Sequence, residues 1–319
     1  MQTVIGADLH LAAALLSKGE VVAIPTETVY GLAANALDVH AALKIFEAKQ
    51  RPSFDPLIVH ISGADQIHKY ATGVPLLALE LAEAFWPGPL TIVLPKKDVI
   101  PDVISSGLPT VGLRCPAHPV TRELLHAIDF PLAAPSANPF GYISPTTAQH
   151  VFDQLQNVIP YILDGGPCKI GVESTIVGFE DDGVFVYRLG GLTLEELQKI
   201  APEIRLKINS SSNPQAPGML ASHYAPRKKM LLGNIGDLLE LHQQDKAAVL
   251  SFSNQYAGND KIIACEVLSR AGDLFEAAAG LFAALRRLDS SEADFIIAEP
   301  VPDVSIGRAI NDRLRRAAG

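Results

Sequence analysis

The stretch Val21-Val22-Ala23-Ile24-Pro25-Thr26-Glu27-Thr28-Val29-Tyr30-Gly31-Leu32 decides how the rest of this chain is read. Its first four residues are an unbroken apolar run, as in a buried strand. Pro25 has no amide N–H to donate and ends it. Thr26, Glu27, Thr28 and Tyr30 then place four polar side chains within five residues. A helical stretch from Ala41 to Ala48 follows and delivers Lys49 and Arg51, with Pro52 as its stop. Two cations beside a hydroxyl-rich turn suit an anionic ligand, Lys as a point charge and Arg as a planar fork. The same residues also read as a strand, a turn and a helix whose C-terminal cations complement its dipole. For Lys49 the two readings stand level.

A second cluster favours the ligand reading. Pro131-Leu132-Ala133-Ala134-Pro135-Ser136-Ala137-Asn138-Pro139 is a short apolar strand ending in Ser-x-Asn between prolines. Prolines restrict the backbone, so Ser136 and Asn138 have little entropy left to lose on binding. In Gly141-Tyr142-Ile143-Ser144-Pro145-Thr146-Thr147, Ser144 reads as an N-cap with Pro145 at the first helical position, opening a helix that runs through Ala148 to Leu155. A helix N-terminus with spare hydroxyls can take a phosphate; Thr146 and Thr147 read equally well as caps alone.

Around these clusters the organisation is legible. Residues 7–19 form an amphipathic helix, and apolar runs then alternate with helical patterns to about residue 190. The runs are Pro56–Ile61, Leu90–Leu94, Val111–Arg114, Leu132–Ala134, Ile162–Asp164, Ser174–Gly178 and Val184–Arg188. This predicts an α/β domain on one large, mixed, twisted sheet over residues 1–205. Thr193-Leu194-Glu195-Glu196 is a capping box opening a last helix to Ile200, so Gly190-Gly191 reads as turn glycines. No Walker A or dinucleotide glycine fingerprint is present. Residues 206–226, with the turn-rich Asn209–Pro214, read as a linker. Ala247–Phe252, Ile262–Ala264 and Phe295–Ala298 read as strands, and Leu274 to Leu288 as a helix with leucines on one side. Residues 227–319 are thus expected to form a small three-layer, Rossmann-like α/β domain.

Composition narrows the classes. The chain has 319 residues, 48% hydrophobic and 19% charged, as in a soluble globular enzyme. No basic start leads into an apolar core, so no signal peptide is expected, and no apolar run has membrane-spanning length. Cys115, Cys168 and Cys265 are widely spaced, which argues against a zinc site or disulfide framework. The expected compartment is the cytoplasm. A net charge of −9 opposes strong non-specific nucleic-acid binding. The local runs Arg227-Lys228-Lys229 and Arg313 to Arg316 read as solvated surface, or else as a weak RNA patch.

Seven segments in order carry a resemblance. They are Pro25–Leu32, Lys49–Ile61, Trp86–Leu94, Val111–Pro119, Ala134–Thr146, Leu163–Val177 and Tyr187–Gly191. The chain resembles the Sua5/YrdC/YwlC family of L-threonylcarbamoyladenylate synthases, in its longer two-domain form. Ala216–Met219 and Ser222–Pro226 resemble that form's linker, and Asn311–Arg316 the end of its second domain. The resemblance implies a YrdC-like twisted sheet and a nucleotidyltransferase. The family joins L-threonine, bicarbonate and ATP, and its product feeds the N6-threonylcarbamoyl modification of adenosine 37 in certain tRNAs through a separate transferase complex. It implies Arg114 for the threonine carboxylate, with Thr28, His60 and Ser174 about the amine and hydroxyl. His60 reads alternatively as a satisfied strand histidine. Lys49, Arg51 and Arg188 are implied to meet phosphate or carbamate charge, Thr110, Ser136 and Ser144 the nucleotide, and Asn138 to hold the nucleotide site together. Asp55 stands where many relatives carry Asn near the nucleotide, and an ionised carboxylate cannot donate there. The implied linker covers the active-site mouth, bringing Tyr224 to ATP with His223 beside it. Mg²⁺ is expected with ATP, with no protein-only metal cage. Two rivals are a double-stranded-RNA-binding module of this fold and the carbamoyl-phosphate-using domain of hydrogenase maturation factors. The acidic charge opposes the first, and the lack of acylphosphatase and zinc-finger segments opposes the second.

Overall fold

The structure, a computed structural model, describes residues 2–52, 54–208, 223–242, 244–256 and 259–319. The expected linker motifs Asn209–Pro214 and Ala216–Met219 lie outside the described residues.

The strands of the first domain are β1 (Val4–Gly6), β2 (Val22–Ile24), β3 (Gly31–Asn35), β4 (Ile58–His60), β5 (Leu90–Pro95), β6 (Thr110–Arg114), β7 (Leu132–Ala133), β8 (Tyr161–Leu163), β9 (Thr175–Glu180), β10 (Gly183–Arg188) and β11 (Arg205–Leu206). They form one sheet in the order β1-β8-β2-β3-β7-β4-β6-β5-β9-β10-β11. Pairing is mixed: β4 with β6 and β5 with β9 are parallel, while β5 with β6 and β9 with β10 are antiparallel.

Alternation along the strands assigns the faces. Val59, Ile92, Leu113 and Val177 join the core beneath the helices Val39–Lys49 and Leu76–Phe85. At the other end of the sheet, the helices Leu9–Ser17 and Pro119–Ala127 cover Val22, Ile24, Ala33 and Leu132. The residues between the first set point the opposite way. His60 pairs with Arg114, Ile58 with Gly112, and Arg114 with Thr91. On that face Ile58, Val93, Ile176, Phe185 and Tyr187 make a separate apolar patch.

Several helix ends differ from expectation. The helix carrying Lys49 starts at Val39, where Asp38 accepts from the N–H groups of His40 and Ala41. It ends at Gln50, in the left-handed region at φ 51°, with the N–H of Arg51 returning to the Phe46 carbonyl. That cap, not Pro52, stops it. The later helix begins at Ala148, capped by Thr147, whose hydroxyl accepts from the His150 N–H. Ser144 is therefore no N-cap, because its hydroxyl is engaged elsewhere. The capping box at Thr193 is present, but its helix is short, Leu194–Leu197.

The second domain holds β12 (Lys229–Leu232), β13 (Ala247–Ser251), β14 (Ile262–Val267) and β15 (Phe295–Ala298), in the order β12-β15-β13-β14 and parallel throughout. The helix Ile235–Leu241 packs on one face, and Leu274–Asp289 with Gly307–Ala318 on the other, giving three layers. β12 begins at Lys229, the last residue of the basic run, which hid it in the sequence. A continuous apolar cluster runs from the first domain into the second, through Ile143, Tyr224, Phe282 and Ile310.

Candidate active site

The turn after β2 closes on itself. Thr26 Oγ1 accepts from the N–H groups of Thr28 and Val29, both at 3.2 Å, and lies 2.8 Å from Thr28 Oγ1. This aims Glu27 and Thr28 at Arg114, the last residue of β6. Arg114 Nη2 donates to Glu27 Oε1 at 2.7 Å and to Thr28 Oγ1 at 2.9 Å. Glu27 Oε2 accepts from the Ala117 N–H at 3.0 Å. Nη1 of Arg114 has no partner among the described residues. A guanidinium with one edge fixed and another open is pre-set for a carboxylate.

Arg114 lines a cleft with Val29, Arg51, His60, Ser136, Glu173, Ser174, Arg188, His223 and Tyr224. The cavity measures about 50 Å³. A water needs ~10–15 Å³ of such space, so the cleft has room for a few waters.

His60, on β4, has its Nδ1 3.4 Å from the Ile58 carbonyl. Burial, with Arg114 beside it, pushes its pKa down to about 3, so the imidazole is neutral. It is a strand histidine as well as a cleft residue, with backbone partners at Ile58 and Leu132. Ser174 Oγ lies 2.8 Å from Thr91 Oγ1 and accepts from Arg188 Nη2 at 3.1 Å. Arg188 Nε and Nη2 also donate to the Ser174 carbonyl, at 3.1 and 2.9 Å. The β9–β10 register shifts between Val186 and Arg188, and such an irregularity re-aims a side chain.

Several expected ligand residues stand behind the cleft instead. Lys49 is 1% exposed, and its Nζ donates to the Ser136 and Asn138 carbonyls, both at 2.5 Å. Its ammonium therefore holds the Pro-Ser-Ala-Asn-Pro segment and does not line the cleft. Burial, then Arg51, pushes its pKa well down. Asn138 Nδ2 donates to the carbonyls of Pro139 and Tyr142, at 2.9 and 2.8 Å, fixing the same segment. Ser144 donates to Glu173 Oε1 at 2.6 Å. Thr28, fully buried, faces Arg114. Thr110 shares the sheet face of Arg114 but lies four residues away, ~13 Å along the strand. It lines a separate hollow with Tyr187 and Glu180.

Arg51 joins the two sets. Nε donates to the Asp55 carbonyl at 3.1 Å and Nη2 to the Pro56 carbonyl at 3.0 Å. Nη2 also lies 2.8 Å from Asp55 Oδ2. That contact is an ion pair by distance without hydrogen-bond geometry, so both Asp55 oxygens stay without a hydrogen bond. Burial pushes the Asp55 carboxyl up, against the pull of Arg51, Lys49 and Arg188.

The far wall comes from the end of the expected linker, residues 223–224. Tyr224 is 1% exposed and sits at φ 66°, a conformation that costs a bulky residue ~1–3 kcal/mol. Its hydroxyl and His223 Nδ1 have no partner among the described residues. Burial, then Arg51, pushes the His223 pKa well down, so this imidazole too is neutral.

Sequence reasoning gave no site role to Glu27, Glu173 or Arg313. Glu27 carried one available signal, a lone carboxylate in the otherwise uncharged residues 21–37. Glu173, close to Lys169, and Arg313, inside a basic run, carried none. The run Arg313 to Arg316 is neither solvated surface nor an RNA patch at its ends: Arg313 is 0% and Arg316 7% exposed, and only Arg315 faces solvent. Among the described residues no three His, Cys, Asp or Glu side chains gather as a metal site.

Two family models divide the chain. The Sua5/YciO/YrdC model, described as telomere recombination, matches residues 14–190. A second, described as the threonylcarbamoyl-AMP synthase C-terminal domain, matches residues 192–319. The chain belongs to the Sua5/YciO/YrdC family. Within it, the threonylcarbamoyl-AMP synthase of Pyrococcus abyssi is 41% identical, covering 98% of this chain and 94% of the relative. That of Bacillus subtilis is 42% identical, covering 97% and 92%. A crystal structure of P. abyssi Sua5 complexed with L-threonine superposes with a TM-score of 0.91 at 39% identity, covering 100% of this chain and 97% of that one. The resemblance of this member to its family therefore spans both domains, and the mixed sheet and the parallel sheet recur together.

Proposed function

We infer that this protein is a threonylcarbamoyl-AMP synthase, which condenses L-threonine, bicarbonate and ATP. The observation that carries the inference is Arg114: a buried guanidinium, held on one edge by Glu27 and Thr28, with its other edge open to a cleft in a chain alike throughout to a threonine-bound relative.

The open edge of Arg114 suits the threonine carboxylate. Neutral His60 and the Ser174 hydroxyl stand in the same cleft and offer partners to the amine and hydroxyl. The amine attacks bicarbonate carbon and water leaves, giving a carbamate. A carbamate oxygen then attacks the α-phosphorus of ATP, and the bond to pyrophosphate breaks. Arg51 and Arg188 line the cleft, where cations offset the charge of a triphosphate in a water-poor site. Lys49 acts one step behind, fixing the Ser136 backbone. Asp55 is tied to Arg51 and serves to hold it, so direct donation from residue 55 to the nucleotide is not assigned. Ser144 donates to Glu173, which leaves its oxygen able only to accept, and so suits a nucleoside hydroxyl or amine rather than a phosphate. Mg²⁺ arrives with ATP as part of the substrate and supplies countercharge; the described carboxylates near the cleft are already engaged by arginines.

The wall of His223 and Tyr224, which borders the cleft, opens to admit ATP and returns to exclude water, which would hydrolyse the mixed anhydride. The product would pass to a tRNA-modifying transferase complex in the cytoplasm. Any RNA contact would fall to Arg227–Lys229, where Arg227 and Lys229 are exposed; among the described residues no helix is long and apolar enough to cross a membrane.

The test is pyrophosphate release by the full chain with ATP, Mg²⁺ and bicarbonate, with and without L-threonine. Release that requires both threonine and bicarbonate supports the inference. A folded protein that releases none with any amino acid overturns it.

A further inference from the structure

The second domain reaches into the cleft wall through one side chain. Arg313, in the helix Gly307–Ala318, is fully buried. Its Nε donates to Glu173 Oε2 at 2.8 Å, across 140 residues of sequence. Nη2 donates to the Leu189 carbonyl at 2.8 Å and Nη1 to Asp312 Oδ2 at 2.6 Å. The guanidinium also lies over the Tyr224 ring, 5.0 Å from its centroid. Asp312 has a second cation, since Arg316 Nε meets both its oxygens at 3.0 and 3.2 Å. The charge of Arg313 is thus left to balance Glu173.

Glu173 lines the cleft at 6% exposure, and its other oxygen accepts from Ser144. A buried carboxylate in the wall of a site for a polyanion repels that ligand, and burial removes the water that would screen it. The remedy is a fixed countercharge. Arg188 of the first domain pulls on Glu173 from across the cleft, but the ion pair that Glu173 makes among the described residues is with Arg313.

We propose that Arg313 is a positioning residue of the active site: supplied by the second domain, it neutralises Glu173, holds it for Ser144 and seats Tyr224, so that the cleft accepts an anionic nucleotide only when the second domain is docked. This rests on the synthase reading for the identity of the nucleotide.

The experiment measures nucleotide binding directly by calorimetry on the full chain, with ATP and with uncharged adenosine as probes, so it does not depend on turnover. Wild-type binding of ATP is the control, and its failure would count against the synthase reading rather than this proposal. Arg313→Met leaves Glu173 unpaired and is expected to weaken ATP binding at least about tenfold while moving adenosine less than about twofold. Adding Glu173→Gln to it removes the repelling charge and is expected to return ATP binding to within about threefold of wild type. Equal loss for ATP and adenosine would mark a merely structural role and overturn the proposal, as would a double variant no better than the single one. Should Arg313→Met fail to fold, Arg313→Lys keeps the charge. It is expected to retain at least about a third of the ATP affinity, and a loss of about tenfold with adenosine unchanged would contradict the proposal.

Discussion

Two buried arginine–glutamate pairs flank one cleft, and they are closed at different ranges. Arg114 and Glu27 meet within the first domain, 87 residues apart at 2.7 Å. Arg313 and Glu173 meet between domains, 140 residues apart at 2.8 Å. In the first pair the arginine keeps an edge toward the cleft. In the second the arginine is wholly enclosed and the glutamate faces the cleft. The difference separates recognition from support: the first pair presents a cation to substrate, and the second hides an anion from it. The first domain therefore carries the chemistry, and the second makes its wall electrostatically tolerable.

The comparison can be broken most sharply at Arg114. Arg114→Ala removes the open guanidinium and leaves Glu27 buried without its partner. We expect kcat/KM for threonine to fall by at least about a hundredfold. Arg114→Lys should not restore it, because an ammonium cannot hold Glu27 and a substrate carboxylate as a fork does. Near-normal pyrophosphate release by either variant would remove the first pair from recognition.

Lys49 tests whether scaffold cations differ from presented ones. Lys49→Met keeps the bulk but leaves the Ser136 and Asn138 carbonyls without their donor. Unfolding in urea should show a loss of about 1–3 kcal/mol. Unchanged stability with lost activity would return Lys49 to direct ligand contact.

His60 gives an acid-side test. Its pKa in the folded chain is about 3 against an ordinary 6.5. As pH falls below 6.5 the unfolded chain takes up a proton that the folded chain refuses, so stability declines from there down to about pH 3. At pH 5 this histidine alone accounts for about 2 kcal/mol. His60→Gln should flatten the acid limb of a stability–pH curve by that amount. His150, pushed by burial down to about 4, and His223 keep part of the slope. An unaltered acid limb would mean that His60 is protonated in the fold.

The smallest effect is expected at Arg287, which meets Glu266 through two bonds at 2.8 and 2.7 Å but is 58% exposed. Arg287→Ala should cost no more than about 1 kcal/mol in urea unfolding. A larger cost would mean that geometry, and not burial, sets the worth of these pairs.

How far the sequence was legible follows the same division. Val21–Ile24 read as a strand because an apolar run is a local signal, and Leu274–Leu288 as a helix because its period is local too. Arg114, His60, Ser174 and Arg188 were named by the family resemblance alone, and the structure brings all four to one cleft; the apolar runs they flank gave them no role. The capping box at Thr193 was legible because it too is a local signal. Ser144 was misplaced as a cap because Ser-Pro is a strong local signal, overridden here by Glu173 from 29 residues away. Lys49 stood level between two readings because its true partners are backbone carbonyls, which leave no mark in sequence. Arg313 read as part of a basic run because burial of a charge depends on the distant anion that meets it. β12 was missed because its first residue belongs to another such run.

The synthase activity shows most plainly when the full chain is supplied with ¹³C-bicarbonate, L-threonine, ATP and Mg²⁺ and the adenylate is identified by mass spectrometry. The expected product is threonylcarbamoyl-AMP carrying the label, absent without threonine and lost in Arg114→Ala. An unlabelled threonyl adenylate, or no adenylate from a folded protein that binds both substrates, would contradict it.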